Sequence, residues 1–159
     1  LGINRGTEVA TKTGQVQYDF TGIPAGVRRV TIMFDRLSTN GASDLVFRLG
    51  KSGDPAGTFI ATGYNASYIG TGGSTISTEN STTGFGMANN SSARSLSGSI
   101  VLNALTNSLW TAAGVYGGSG NGSTSGSIDL SGTLDRLRLT TLGGTNTFDA
   151  GTINISWEF

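Results

Sequence analysis

The clearest pattern of apolar and polar positions lies at the C-terminal end of the chain. Residues 151–159 alternate isoleucine or tryptophan with polar residues, which is the two-residue period of a strand with one buried face. The same period recurs in residues 27–37 and 134–141. We expect both stretches to pair with the last strand in one sheet.

Shorter apolar runs predict further strands. They lie at residues 15–21, 45–49, 58–64, 83–88, 97–105, 108–116 and 127–130. A short helix over residues 100–105 is the competing interpretation of one run. Asn40-Gly41 predicts a hairpin reversal, and residues 131–133 predict a turn between two paired strands. Residues 117–126, written GGSGNGSTSG, predict an exposed, mobile connection outside the core.

Strand signals spaced about ten residues apart, with no crossover helix, predict the fold class. We expect an all-β chain folded as a two-sheet antiparallel β-sandwich of the jelly-roll type. Residues 15–159 are predicted to form this single domain. Residues 1–14 are predicted to form a lead-in arm or first strand that continues from an upstream segment.

Composition supports the β fold and excludes several classes of function. The chain has 26 glycines and only 13% charged residues, a mix that suits short strands and tight turns. Ten basic residues balance ten acidic ones, so we expect no nucleic-acid partner and no membrane insertion. Cysteine and histidine are both absent, which removes disulfides, thiolate metal sites and Ser-His-Asp catalysis. We therefore expect no cofactor and no metal.

Enzymatic chemistry would have to rest on paired carboxylates, as in glycoside hydrolysis. The acidic residues are Glu8, Asp19, Asp35, Asp44, Asp54, Glu79, Asp129, Asp135, Asp149 and Glu158. Most of them fall in predicted turns or at exposed strand positions, and no motif joins two of them. We therefore predict that the chain is not an enzyme.

Two loop segments resemble binding sites for small ions without meeting their requirements. Asp35, Asn40 and Asp44 carry the oxygen ligands that calcium prefers, but their spacing matches no standard calcium loop. An Asn-Gly turn flanked by solvated acids is the favoured interpretation. The glycines of residues 117–122 are not followed by a predicted helix, which a phosphate-binding loop requires.

Four aromatic residues are the candidate ligand-binding positions. Tyr64, Tyr68, Trp110 and Tyr116 lie near loops rich in serine, threonine and asparagine. An exposed aromatic face beside hydroxyls and amides is a common way to bind a sugar ring. The alternative is that these side chains are partly buried in the core or contact another subunit.

Three stretches together resemble a known family. They are FTGIPAGVRRVTIMFD at residues 20–35 with LSTNG at 37–41, LSGTLDRLRLTT at 130–141, and TFDAGTINISW at 147–157. This set is similar to the C-terminal domains of tail fibres, tailspikes and related small virion proteins of tailed bacteriophages. Residues 65–95 and 117–126 share with that family only their richness in glycine, serine and threonine.

The resemblance implies a β-sandwich at the tip of a fibre, in the virion, acting at the host cell surface. It implies a homotrimer that joins the rest of the tail fibre and binds a host surface glycan, either polysaccharide or lipopolysaccharide. The alternative is a structural trimerisation clamp or capsid decoration module with no receptor. A polysaccharide-degrading enzyme is a third alternative. The family supplies no catalytic motif that could be assigned to residues of this chain.

Overall fold

The computed structural model describes residues 2–11, 13–72 and 75–159. Leu1 and Lys12 of the predicted arm, and Gly73 and Ser74 within residues 65–95, lie outside the described residues. The described part contains strands and turns and no helix. In chain order the strands are β1 (Asn4–Arg5), β2 (Val9–Ala10), β3 (Gln17–Thr21), β4 (Arg29–Thr39), β5 (Leu45–Lys51), β6 (Asn65–Gly72), β7 (Thr75–Ser81), β8 (Phe85–Met87), β9 (Leu96–Ala104), β10 (Leu109–Gly118), β11 (Gly122–Asp129), β12 (Leu134–Thr141) and β13 (Phe148–Glu158).

Two antiparallel sheets form the molecule. Sheet A has nine strands in the order β1-β13-β4-β9-β10-β11-β6-β7, with β2 also paired to β13. Sheet B has four strands in the order β3-β12-β5-β8. The predicted all-β sandwich is therefore confirmed, and the predicted arm supplies two short strands that pair with β13.

The strand order is that of a jelly roll with two added hairpins. Without β6, β7, β10 and β11, the sheets read β1/β2-β13-β4-β9 and β3-β12-β5-β8. We call these remaining strands the body. In the body the chain passes from one sheet to the other at nearly every connection, which is the topology of a double-sheet jelly roll. The β6–β7 and β10–β11 hairpins pair through β6 and β11 and lengthen sheet A beyond β9. We call these four strands the extension.

The core lies between the sheets and follows the two-residue period of the strands. Ile155, Ile32 and Ile100 stand opposite one another on neighbouring strands of sheet A, and all three are buried. Across the sandwich, the Phe34 and Phe47 ring centroids lie 6.2 Å apart. Burial of these large apolar side chains is the main stabilising contribution to such a fold.

Some predicted pairings are wrong because neighbouring strands in sequence belong to different sheets. Residues 134–141 form β12 of sheet B and do not pair with the last strand, whereas residues 27–37 do, through β4. The strands on either side of Asn40-Gly41 also lie in different sheets. Asn40 instead bonds Thr147, its N–H donating to the Thr147 carbonyl at 2.9 Å.

Two further predicted elements differ from the structure. Residues 127–129 end β11 in sheet A, so they do not pair with β12, and residues 131–133 carry the chain across the sandwich. Residues 58–64 form no strand, although the Ile60 N–H donates to the Leu49 carbonyl at 2.8 Å. The competing helix over residues 100–105 is excluded because β9 occupies residues 96–104.

The glycine-rich stretch at residues 117–126 is mostly strand, contrary to the prediction of an exposed connection. It completes β10 and begins β11 within sheet A, and only residues 119–121 form the turn. Its glycines allow close packing: a side chain at Gly122 would overlap the Tyr116 ring. At Gly126 a Cβ would lie 2.5 Å from the Ala66 Cα. At these positions glycine allows neighbouring groups to pack closely, and it does not indicate a flexible chain.

Candidate functional site

All four predicted sugar-binding aromatic residues are buried. The exposed fractions are 3% for Tyr64, 4% for Tyr68, 2% for Trp110 and 4% for Tyr116. Tyr68, Trp110 and Tyr116 lie on the inward face of sheet A, and Tyr64 directly precedes β6, so all four rings point into the sandwich. A sugar ring needs an exposed aromatic face. The prediction of an exposed aromatic site at these positions is therefore wrong.

The Tyr64 phenol joins the segment before the extension to sheet B. Its hydroxyl accepts a hydrogen bond from the Leu49 N–H at 2.8 Å and donates one to the Ile60 carbonyl at 3.1 Å. Its ring packs edge-on against Phe85, with centroids 5.2 Å apart. Burial raises the pKa of Tyr64 to about 12. This residue is structural.

Tyr68 and Tyr116 fix the extension over β8. The Tyr68 ring lies against Gly86, leaving no room there for a side chain, and its hydroxyl donates to Asp44 Oδ2 at 2.8 Å. The Tyr116 hydroxyl accepts from the Ala88 N–H and donates to the Ile69 carbonyl, both at 2.9 Å. Burial raises the pKa of both phenols, and the bond to Asp44 raises that of Tyr68 further.

Trp110 borders a small pocket lined mainly by the β3–β4 and β9–β10 loops. The pocket has a volume of about 270 Å3 and is also lined by residues 24–28, Ala104, Thr106, Asn107, Thr133 and Leu134. The Trp110 Nε1 is buried and has no hydrogen-bond partner in the part of the chain that the structure describes. With 2% of its surface exposed, the indole presents no stacking face to solvent.

The carboxylates considered for calcium are engaged in separate local contacts. Asp35 accepts hydrogen bonds from Arg36 Nε at 3.0 Å and from Ser97 Oγ at 2.9 Å. The Arg36 bond, more than the Ser97 bond, lowers the pKa of Asp35 below its usual value. Across the described ranges, no three or more acidic, histidine or cysteine side chains are grouped so as to hold a metal ion.

Asp44 belongs to a buried network that the sequence patterns did not indicate. Its Oδ1 accepts from the Asn89 N–H at 2.6 Å. The Asn89 amide donates to Thr39 Oγ1 at 2.9 Å and to the Ser43 carbonyl at 3.1 Å. Asn89 is 1% exposed, so this network connects the β4–β5 loop to the segment after β8. A single asparagine in a loop carries no periodic signal that would predict this.

The outer face of the extension is a broad, nearly uncharged surface. Strand register places one row of side chains from each strand on it. The row members are Leu109, Thr111, Ala113, Val115, Ser123, Ser125, Ser127, Asp129, Asn65, Ser67, Ile69, Thr71, Ile76, Thr78 and Asn80. Val115 is 68% exposed and Ile76 67%, so aliphatic groups stand among hydroxyls and amides. Such a face can offer both hydrogen bonds and apolar contacts to a ligand.

A second pocket lies at one end of the extension. It has a volume of about 280 Å3 and is lined by Gly72 at the end of β6, by residues of the β8–β9 loop, and by Ser119 in the β10–β11 turn. The loop residues are Asn90, Ser91, Ala93 and Arg94. The sequence patterns did not indicate this pocket, because three segments far apart in the chain form it: the end of β6, the β8–β9 loop and the β10–β11 turn.

No protein-family model, curated protein or solved structure matches the chain. Within the described ranges, no helix is long and apolar enough to cross a membrane. Functional inference therefore rests on the surfaces described above and on the resemblance of the three sequence stretches.

Proposed function

We propose that the chain is a non-enzymatic attachment domain of a tailed-bacteriophage tail fibre or tailspike, which binds polysaccharide or lipopolysaccharide on the host surface. The observation that carries the proposal is the outer face of the extension. Its serine, threonine and asparagine side chains offer donors and acceptors to sugar hydroxyls. Its exposed Val115, Ile69 and Ile76 offer contacts to the apolar faces of sugar rings.

The position of the stretches that resemble phage fibre domains supports the outer face of the extension, rather than another surface, as the binding site. The stretches that resemble phage fibre domains contain β4, β12 and β13, which are interior strands of the two sheets. The stretches without such resemblance, residues 65–95 and 117–126, contain β6, β7, β8 and the β10–β11 turn, and of these only β8 lies outside the extension. The part of the chain that departs from the family is therefore concentrated in the extension, as expected of a surface that meets changing receptors.

Several acidic residues are occupied by contacts that suit a structural role. Asp19 accepts from Arg138 Nε at 2.6 Å and Nη2 at 2.7 Å, and Asp129 accepts from the Ser131 N–H at 2.8 Å. Hydrolysis of a glycan would need two free carboxyl groups facing one cleft. Incubation with purified host polysaccharide is expected to release no more reducing sugar than a protein-free control.

Adsorption of the labelled chain to a panel of bacterial strains tests the proposal. Ser67 lies in the middle of the outer face, opposite Ser125 and Asn80. Ser67→Lys places a long charged side chain there and is expected to lower cell binding at least tenfold. Ser52→Lys, at an exposed turn after β5, is the matched control and is expected to bind as the unmodified chain does.

Circular dichroism and thermal melting verify that both lysine variants stay folded. Undiminished binding by the folded Ser67→Lys variant would contradict the proposal. So would an equal loss of binding in the Ser52→Lys variant, because that position lies outside the outer face.

An assembly domain without a receptor is the second candidate function. β7 pairs with β6 on one side only, so its other edge leaves backbone donors and acceptors unpaired among the described residues. An open strand edge can accept a strand from another chain. A solution mass near three times 16.3 kDa would indicate the homotrimer. A trimer that adsorbs to no strain would favour the assembly function over attachment.

A further inference from the structure

Arg94 is a buried cation whose protein partners are all uncharged. Its exposed fraction is 3%. Nη1 donates to the Ala88 carbonyl at 3.2 Å and to Asn90 Oδ1 at 3.4 Å, and Nη2 donates to the Thr71 carbonyl. Its Nε is buried and has no hydrogen-bond partner among the described residues. A guanidinium carries five N–H donors, so these three bonds leave part of its capacity unused.

Comparison with the other buried arginine shows that this arrangement is unusual within the molecule. Arg136 is 7% exposed, and its Nε also makes no aligned hydrogen bond among the described residues, but it lies 3.0 Å from Asp135 Oδ1 and so has a counter-charge. Arg94 has no such salt bridge to any carboxylate of the described residues. A buried charge without a counter-charge is costly, and an anion bound beside it would offset that cost.

The surroundings of Arg94 form a pocket open to solvent. Its volume of about 280 Å3 is close to the lower end for small-molecule sites, about 300 Å3. Ser91 and Ser119 line it together with Asn90, so hydroxyl and amide groups stand around the cation. Gly120 is packed so closely against Arg94 that a side chain there would overlap the guanidinium. The cation is thus held in place by three parts of the chain: the end of β6, the β8–β9 loop and the β10–β11 turn.

From this geometry we infer that the pocket binds an anionic group of a host glycan, a carboxylate or a phosphate, on the Arg94 guanidinium. Arginine binds both groups through paired, charge-assisted N–H bonds. The neighbouring serine and asparagine side chains would accept or donate hydrogen bonds to the attached sugar. This inference rests on the proposed attachment function and assigns that function a ligand class, an acidic or phosphorylated glycan.

Nuclear magnetic resonance titration of the full chain tests the binding directly. The probes are sodium glucuronate for the carboxylate, inorganic phosphate for the phosphate, and glucose and sodium chloride as controls at matched ionic strength. Glucuronate or phosphate is expected to shift, in a saturable way, the Arg94 Nε–H signal and the amide signals of Asn90, Ser91 and Ser119. The anion that binds more tightly identifies the carboxylate or the phosphate as the recognised group. Shifts no larger than those with chloride, for both anions, would overturn the inference.

A matched pair of variants at the pocket wall separates the anion site from the fold. Ala93 is exposed and lines the pocket, so a longer side chain there leaves the contacts of Arg94 in place. Ala93→Glu supplies a competing carboxylate and is expected to weaken anion binding at least tenfold. Ala93→Gln has the same shape without charge and is expected to bind the anions at least tenfold more tightly than Ala93→Glu. Equal anion binding by the two variants would refute the assignment.

Cell adsorption distinguishes failure of this site from failure of the attachment function. If the unmodified chain adsorbs to cells but Ala93→Glu adsorbs equally well and no anion binds, the anion site is refuted while attachment through the outer face stands. If the anions bind but no strain is adsorbed, the anion site stands and the attachment function is refuted. Arg94→Gln should lose anion binding too, but it also removes loop contacts, so the Ala93 pair decides.

Discussion

At the scale of single residues, buried tyrosine side chains form hydrogen bonds between elements that are distant in the sequence. Tyr64, Tyr68 and Tyr116 each place a hydroxyl on a hydrogen-bond partner in another part of the fold. Burying a polar group is favourable only when its hydrogen bonds are satisfied, as they are here. The sequence identified these residues as notable, but their role is to stabilise the sandwich.

The raised phenol pKa values predict that the fold is lost at alkaline pH. An unfolded tyrosine ionises near pH about 10, whereas the pKa of buried Tyr64 is about 12. The stability that Tyr64 contributes is therefore complete below pH about 10 and is lost as the pH rises to about 12. A shift of this size corresponds to about 2–3 kcal/mol, and Tyr68 and Tyr116 act in the same direction.

Parallel titrations by tyrosinate absorbance and circular dichroism measure this effect. Most of the absorbance change is expected to accompany the loss of the β-sheet signal, with a tyrosine amide solution as the reference for free phenol. Complete ionisation of all tyrosines with the β-sheet signal intact would contradict the assigned burial.

At the scale of elements, the β10–β11 hairpin shows glycine acting within a strand. Gly126 faces inward on β11 against Ala66, while its neighbour Ser125 is exposed on the outer face. Valine has the higher strand propensity, so propensity alone predicts that either residue could be replaced by it. Packing predicts instead that valine destabilises the protein at position 126 and is tolerated at position 125.

Gly126→Val is expected to destabilise the protein by about 2–3 kcal/mol or more, because the added side chain must displace the β6 backbone. Ser125→Val is the control and is expected to change stability by no more than about 0.5 kcal/mol. Urea unfolding of both variants measures the difference in the free energy of unfolding. Equal stabilities would show that β6 and β11 do not pack as closely as described.

The sequence predicted strands better than their partners. Alternation identified β13 from Ile153 and Ile155, and the short apolar run at residues 83–88 located β8. It could not assign sheets, because Leu139 of β12 faces the same core as Ile155 from the opposite side. The period of a strand specifies a buried face but not the sheet that carries it.

The site was less predictable than the fold, for a related reason. Exposure of an aromatic residue depends on what covers it. Tyr68 and Tyr116 lie on β6 and β10 of the extension, and they are covered by the segment around Gly86 and Ala88, which reaches them only through the tertiary fold. The Arg94 pocket likewise forms only where the end of β6, the β8–β9 loop and the β10–β11 turn meet. Neither arrangement leaves a local pattern of apolar and polar positions.

At the scale of the whole molecule, the jelly-roll body and the extension differ in the side chains that they bury and expose. The body contains the family-like strands and most of the large buried side chains, whereas the extension presents a wide neutral face and the Arg94 pocket at its end. This division supports a scaffold that holds a separate recognition surface. We propose that the extension carries the attachment function.

Thiol labelling tests this claim most directly, because the natural chain has no cysteine. Single cysteines are placed by Ser125→Cys on the outer face of the extension and by Thr21→Cys on β3 of the body, both at exposed positions. Modification rates are measured with and without envelope fragments from an adsorbed strain. The account predicts at least tenfold slower labelling at position 125 and an unchanged rate at position 21. Protection at position 21 alone, or at neither position while the protein is bound, would contradict it.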